Sequence, residues 1–573
     1  LIIPLQKRNN PCFCCFYIFT AHTLTPDMKK LFLSLVTMAF FISAIAQQST
    51  FRTQYNFSQF DFPTGMVQAT TGNYVFSSFV FGLSIPLGPR GGLTEIDQNG
   101  NHIRSTLYNN GAFTTSVNFN DVKKISTGGY IVTGDANSQC LLAKVPAAFG
   151  APTWQYRYLP VSGASAYGTR VIQTSDGGFL VAGSASRVNN GTAMTDSSKM
   201  YALKVDANGT VLWSKVFFYS TAFDDDDYLN AVTEVSDGYV FVGSVTTSFN
   251  GSSRGAVVKT DVNGNIQWAR QIGASTIESV ITDAGTNIVM SGLDGVGGYI
   301  YNWNAPNSGP TVIGTNTKYT AAGLGVSVGS LTKTLDNNFA VFVSGATISS
   351  FTTVIVKSNR LTGAVMFAKS YNSFISILPT GIATTDGGYL MNSLSADTAG
   401  GGGYDFAATK TDSLGNQGGS GCPATNPVIV AQSFSPSITS FTATPVGTPT
   451  RTSGGISAVS STPSTVITCR TIACTAPPTP TISANPTSLC AGSPTTLTAS
   501  GGSNVTYTYY TQPSGGTSVG TGATLNVSPT TTTTYYVQSD DNSNPGCVSA
   551  RSAGVTVTVT QAPSSVGNIV GSA

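Results

Sequence analysis

Short apolar runs of strand length recur along the chain between breaks rich in glycine, asparagine and aspartate. In one stretch these runs are Thr169–Gln173, Phe179–Gly183, Tyr201–Val205 and Val211–Val216. The turn Asp176-Gly177-Gly178 separates the first two, and Asp206-Ala207-Asn208-Gly209 the last two. Asn-Gly between apolar runs is a strong hairpin signal, so the stretch predicts four antiparallel strands.

That four-strand unit repeats. Gln173 to Lys215 reads QTSDGGFLVAGS, a variable loop, then YALKVDANGTVLWSK; Glu234 to Arg270 reads EVSDGYVFVGS, a loop, then GAVVKTDVNGNIQWAR. The residue that opens the second strand recurs at Tyr74, Tyr130, Phe179, Tyr239, Ile288, Phe339 and Tyr389, at intervals of about fifty residues. A single four-stranded sheet cannot bury both of its faces. Seven placed radially cover one another, so the expected fold is all-β, with a seven-bladed β-propeller over residues 47–424. Solenoid coils of about 20–30 residues and sandwiches of about seven strands fit this period poorly.

The seventh copy lacks a fourth strand, whereas Thr50 to Phe57 resembles the fourth strands around Trp213 and Phe367. We therefore expect the N-terminal segment to complete the last blade and leave no open edge. Residues 425–479 are rich in Ser, Thr and Pro and read as an extended linker. Strand patterning returns over 480–561, as an Ig-like β-sandwich expected to use Leu497–Ala499, Val505–Tyr510, Thr524–Val527, Thr534–Gln538 and Gly554–Val559. Residues 562–573 resemble the opening of a further module, cut short.

Composition narrows the function classes. Charged residues make up 9% of the chain and the net charge is +2, which leaves no field to attract nucleic acid or anionic lipid. Met28 begins a signal-peptide pattern over 28–46: Lys29-Lys30, an apolar run from Leu31 to Ile42, then Ala44-Ile45-Ala46. The run is too short to span a bilayer, so no membrane span is expected in the mature chain. Residues 1–27, with Cys12, Cys14 and Cys15, read as upstream sequence foreign to the native protein, not as a metal site. An exported chain can keep disulfides; Cys490 and Cys547 bracket the sandwich and are the expected pair. Two of Cys422, Cys469 and Cys474 are candidates for a second bridge, and Cys140 reads as a buried free thiol.

The pattern T-x-D-G-G-Y-h-V-h-G-S … h-V-K-x-D-x-N-G-N-h-x-W-x-K, with h apolar, resembles the propeller repeats of large secreted proteins that Gram-negative bacteria export by type IX secretion. The resemblance covers about residues 50–422, and residues 480–560 resemble the Ig-like modules of the same proteins. In the fifth copy Trp303 falls near the third strand, away from the position shared by Trp154, Trp213 and Trp268. The Ig-like stretch has no strand-C tryptophan; Tyr509 or Tyr510 is expected in that place. The resemblance implies a secreted or cell-surface address and a scaffold or binding role.

No catalytic motif stands out. His102 is the one histidine of the mature chain, and no G-x-S-x-G elbow is present. Asp224-Asp225-Asp226-Asp227 is the densest charge cluster and the candidate for calcium, with a solvated loop as the plainer reading. The Asp-x-Asn-Gly sequences at Asp97, Asp206 and Asp261 read as hairpin turns, not as calcium loops. The expected function is a non-enzymatic, adhesion-type platform for a polysaccharide or protein ligand on an extracellular surface. The alternative is a secreted polysaccharide hydrolase or lyase.

Overall fold

The structure, a computed structural model, describes residues 49–560 apart from short intervening stretches, the longest being 418–428; over 429–471 it describes the backbone alone. Among the described residues every regular element is a strand. The repeats fold as seven antiparallel sheets, in each of which the four strands of a repeat lie side by side in order. In the third sheet these are Ser165–Gln173, Phe179–Ser186, Lys199–Val205 and Val211–Phe218, each as long as or longer than the apolar run that predicts it. All seven second-strand anchors, from Tyr74 to Tyr389, are buried.

The seventh sheet contains Gly381–Ala383, Tyr389–Ala396 and Tyr404–Thr411, and the N-terminal strand Thr50–Asn56 pairs antiparallel with the last of these. The expected donation of a fourth strand from the N-terminus is therefore made. An apolar core lies between each pair of sheets that follow one another in the chain. A further core joins Phe51, Tyr55, Leu390 and Phe406 of the seventh sheet to Met66, Tyr74 and Phe76 of the first.

Contacts of a repeating kind stitch the sheets together. Gln173 accepts the Ser126 amide of the sheet before it, and Glu234 accepts the Ser175 amide in the same way. Gln68 of the first sheet accepts the Thr385 amide of the seventh. On the fourth strands, Tyr158 and Tyr371 donate to the carbonyls of Gly209 and Gly415 in the next sheet. Tyr55 of the seventh sheet donates to Gly100 of the first.

Residues 425–479 depart from expectation. Instead of an extended linker they supply six strands, each added antiparallel to the outer edge of a different sheet. Ile429–Ser433 pairs in the fifth sheet, Ile438–Ser440 in the fourth and Thr444–Val446 in the third. Thr450–Ser453 follows in the second, Ile456–Ser461 in the first and Ser464–Thr471 in the seventh. Edge pairing recruits backbone N–H and C=O groups, so a Ser/Thr-rich segment without an apolar face can form strands there. The sheets supply the template that the segment's own pattern lacks.

The C-terminal region forms two sheets. Thr481–Asn485, Thr495–Ser500 and Thr524–Val527 make one. The other places Ser488–Cys490 parallel to Val555–Thr560 and continues through Thr533–Asp541, Val505–Tyr510 and Ser518–Thr521. Tyr509 is fully buried among Leu497, Val537 and Val557 and fills the place of the missing tryptophan. Tyr510 is half-buried, under the guanidinium of Arg551 at 3.4 Å. Trp303 lies on the third strand of the fifth sheet, as its spacing indicates, while Trp154, Trp213 and Trp268 lie on fourth strands.

Candidate functional site

The first strands of the sheets share one irregularity. In six of the seven, an extra residue interrupts pairing with the second strand: Thr64, Asn120, Thr169, Asn230, Glu278 and Gly329. Such a bulge turns its side chain away from the regular alternation of the strand. The glycine of the repeated V-h-G-S motif makes room for it. A Cβ on Gly183 would lie 1.8 Å from the Tyr167 carbonyl oxygen, and on Gly134 or Gly243 equally close to that of Asn118 or Tyr228.

Three bulge side chains bridge to the next sheet by donating to the carbonyl just before its own bulge. Thr64 donates to Phe119 at 2.6 Å, Asn120 to Gly168 at 2.8 Å, and Asn230 to Ile277 at 3.0 Å. In the sixth sheet, where the bulge is glycine, neighbouring Ser330 donates to Gly381 instead. Glu278 breaks this pattern, because an ionised carboxylate accepts hydrogen bonds and cannot donate. Burial pushes its pKa up; a hydrogen bond from Thr276 and the positive charge of Arg170 pull the other way.

Arg170 follows the bulge of the third sheet and donates to the carbonyl oxygens of Thr169 and Asn120 at 3.1 and 3.4 Å. No ion pair joins it to Glu278. Nearby, Asp121 is buried, accepts from Lys123 at 2.7 Å and takes the Val171 amide of the next sheet. At the bulges themselves the first strands thus carry neutral polar side chains and one carboxylate, Glu278, whose pKa burial raises, with Arg170 next to the third bulge. This arrangement can hold a polar ligand by hydrogen bonds and charge. Sequence reading missed it, because the bulges that align these residues leave no periodic signal.

The residues singled out from sequence lie elsewhere. Asp224 and Asp225 fall outside the described residues. Asp226 accepts the Ser198 amide and Asp227, which is buried, accepts the Thr246 amide and lies 4.0 Å from Lys199, so both carboxylates are engaged by neighbouring segments of the protein. Among the described residues no three His, Cys, Asp or Glu side chains group as metal ligands would. Asp97, Asp206 and Asp261 accept the amides two and four residues on, as hairpin turns require. His102 opens the fourth strand of the first sheet and bonds Ser105 at 2.9 Å; burial lowers its pKa, against a backbone hydrogen bond at Arg104.

Cys140 is buried and free, and burial pushes its thiol up to about 12. Cys490 is exposed and free at the end of its strand, and the partner expected for it lies outside the described residues. The sandwich core is built on Tyr509 and aliphatic side chains. Cys547, Cys422 and Cys474 lie outside the described residues, and Cys469 stands opposite Arg52 in the seventh sheet.

A second feature hidden from sequence reading is a set of ion pairs. The Asp of the first turn meets the Lys of the third strand in Asp176–Lys204, Asp237–Lys259, Asp336–Lys357 and Asp386–Lys410. The repeat pattern holds both residues, but only the hairpin fold brings them together.

Residues 477–560 match the model of the family "Ig-like domain CHU_C associated". No curated protein matches the chain. Among solved structures, a protein of unknown function from Dyadobacter fermentans is 11% identical, with a TM-score of 0.34, over 64% of this chain and 98% of that one. A fungal alcohol oxidase of the AA5 family, solved with copper, is 12% identical, with a TM-score of 0.36, over 87% and 98%. Among the described residues no helix is long and apolar enough to cross a membrane.

Proposed function

We propose that the seven sheets are the blades of a closed β-propeller, and that this propeller is a non-enzymatic, adhesion-type binding platform on a protein exported by type IX secretion. Closure is supported by the seventh-to-first contacts, which repeat those between consecutive sheets: Gln68 to Thr385, Tyr55 to Gly100, and the core around Phe51 and Phe406. In such a ring the first strands face the axis. The export route is supported by the Ig-like match and the signal-peptide pattern at 28–46.

The observation that carries the binding reading is the bulge series, which turns Thr64, Asn120, Asn230 and Glu278 out of the regular alternation of their strands, with Arg170 bonded to the Asn120 carbonyl and acting on Glu278. A polar ligand of the extracellular surface, polysaccharide or protein, suits these groups. The test uses the chain from residue 47 onward, on glycan arrays and in titrations with the polysaccharides it retains. Glu278→Gln and Arg170→Ala are each expected to weaken retention by about tenfold or more, with unchanged melting temperature. Unaltered retention in both variants would exclude this site. Turnover of a polysaccharide that is lost in Glu278→Gln would replace the binding role with catalysis.

A further inference from the structure

The sheets have two unlike ends. At one end the first strand turns into the second and the third into the fourth, through short turns such as Asp176-Gly177-Gly178 and Asp206-Ala207-Asn208-Gly209. At the other end the second strand passes to the third, and one sheet hands over to the next. Connections there are longer, as over 187–198 and 219–227. The first of these carries a small hairpin, Val188–Asn189 against Met194–Thr195. Val188 anchors it, fully buried with Ala164 and Ala166 where the first strand of the same sheet begins.

The chain enters the sheets and departs for the Ig-like region at the turn end. Thr50–Asn56 takes the fourth place in the seventh sheet, and a fourth strand starts at that end. The Ser49 hydroxyl donates to Asn99 in the third-to-fourth turn of the first sheet at 2.7 Å, which fixes the position. Ser464–Thr471 runs antiparallel to Thr50–Asn56 with Thr471 opposite Thr50, so it too ends there. The turn end is also laced from sheet to sheet beside the first strands, by Gln173 on the Ser126 amide, Glu234 on the Ser175 amide and Asp283 on Lys333. The bulges lie away from this lacing, at mid-strand or, for Asn230 and Glu278, close to the loop end.

We propose that the two ends divide the work: the turn end carries the tether to the Ig-like region, and a polysaccharide displayed on a facing surface reaches Asn230, Glu278 and Arg170 from the loop end. The inference rests on the binding reading above and adds the direction of approach and the ligand class. Arg170 only donates, an ionised Glu278 only accepts, and the Asn230 amide does both. A hydroxyl donates and accepts as well, so the hydroxyls of a sugar serve all three groups.

The test uses the chain from residue 47 onward and the polysaccharides it retains. An azide-bearing residue replaces Tyr228, which opens the first strand of the fourth sheet at the loop end, or Leu335, in the first-to-second turn of the sixth sheet. Both side chains are exposed, and a large polyethylene glycol chain is coupled at either position. Coupling at 228 should weaken retention by about tenfold or more, and coupling at 335 by less than about twofold, with unchanged melting temperature. Undiminished retention after coupling at 228, or an equal loss at 335, overturns the direction of approach; a loss in Arg170→Ala then still upholds the site. Unaltered retention in both Arg170→Ala and Glu278→Gln removes the site, and this inference with it. Retention of proteins alone, with no polysaccharide held, overturns the ligand class.

Discussion

In four of the sheets a buried lysine of the third strand is neutralised by the aspartate of the first turn. Lys204 is 2% exposed, whereas its partner Asp176 is 52% exposed, so the carboxylate reaches in from the surface to neutralise an interior charge. Burial alone would raise the Asp176 pKa. Hydrogen bonds from Lys204, Thr174 and the Gly178 amide outweigh it and bring the group to about 2; Asp336 sits at about 2 for similar reasons. A carboxylate depressed on folding contributes stability above its unfolded pKa of about 4 and loses it as pH falls toward the folded value. The melting temperature should therefore drop between about pH 4 and pH 2, and Asp176→Asn should flatten part of that drop in pH-dependent calorimetry. At pH 7 the same variant should cost about 1–2 kcal/mol. That is less than the ~3–5 kcal/mol of a fully buried pair, because water already screens the aspartate. The turn aspartates and the third-strand lysines were visible as recurring letters, but their pairing was not, because more than twenty positions separate Asp176 from Lys204 along the chain.

At the scale of elements, the first-strand bulge and the glycine opposite it form one unit. Gly183 has no positive φ to explain it; it is needed because the Tyr167 carbonyl occupies the space of a Cβ. Gly183→Ala should force the two strands apart and cost at least about 2 kcal/mol in chemical denaturation. Gly177, where a Cβ would meet nothing, is the control for space alone, although its positive φ of 81° still disfavours alanine. The strands were legible because alternation and Asn-Gly turns are local signals. The bulges were not: one extra residue changes register without changing composition. For the same reason the candidate site escaped notice. Glu278 and Arg170 sit in ordinary strand sequence and gain meaning only from being aligned.

Across the whole molecule, the N-terminal strand Thr50–Asn56 lies between Tyr404–Thr411 of the last repeat and Ser464–Thr471 from beyond it. Phe51 and Tyr55 on it are fully buried. Removing residues 47–57 should lower the melting temperature sharply, because both neighbours lose their partner and a core loses two aromatics. Ending the chain at residue 424 removes all six added strands and should lower it by about 5 °C or more in calorimetry. Equal melting with and without residues 425–471 would show that the outer strands add nothing. Repeat number, turn chemistry, the all-β class and the Ig-like region follow from the sequence by itself, since each rests on spacing within a few residues or on copies compared along the chain. Only the tertiary structure decided what becomes of residues 425–471, which inner residues meet, and which lysine each turn aspartate neutralises. Those outcomes depend on edges and faces that exist only after the sheets have formed, so no local pattern encodes them.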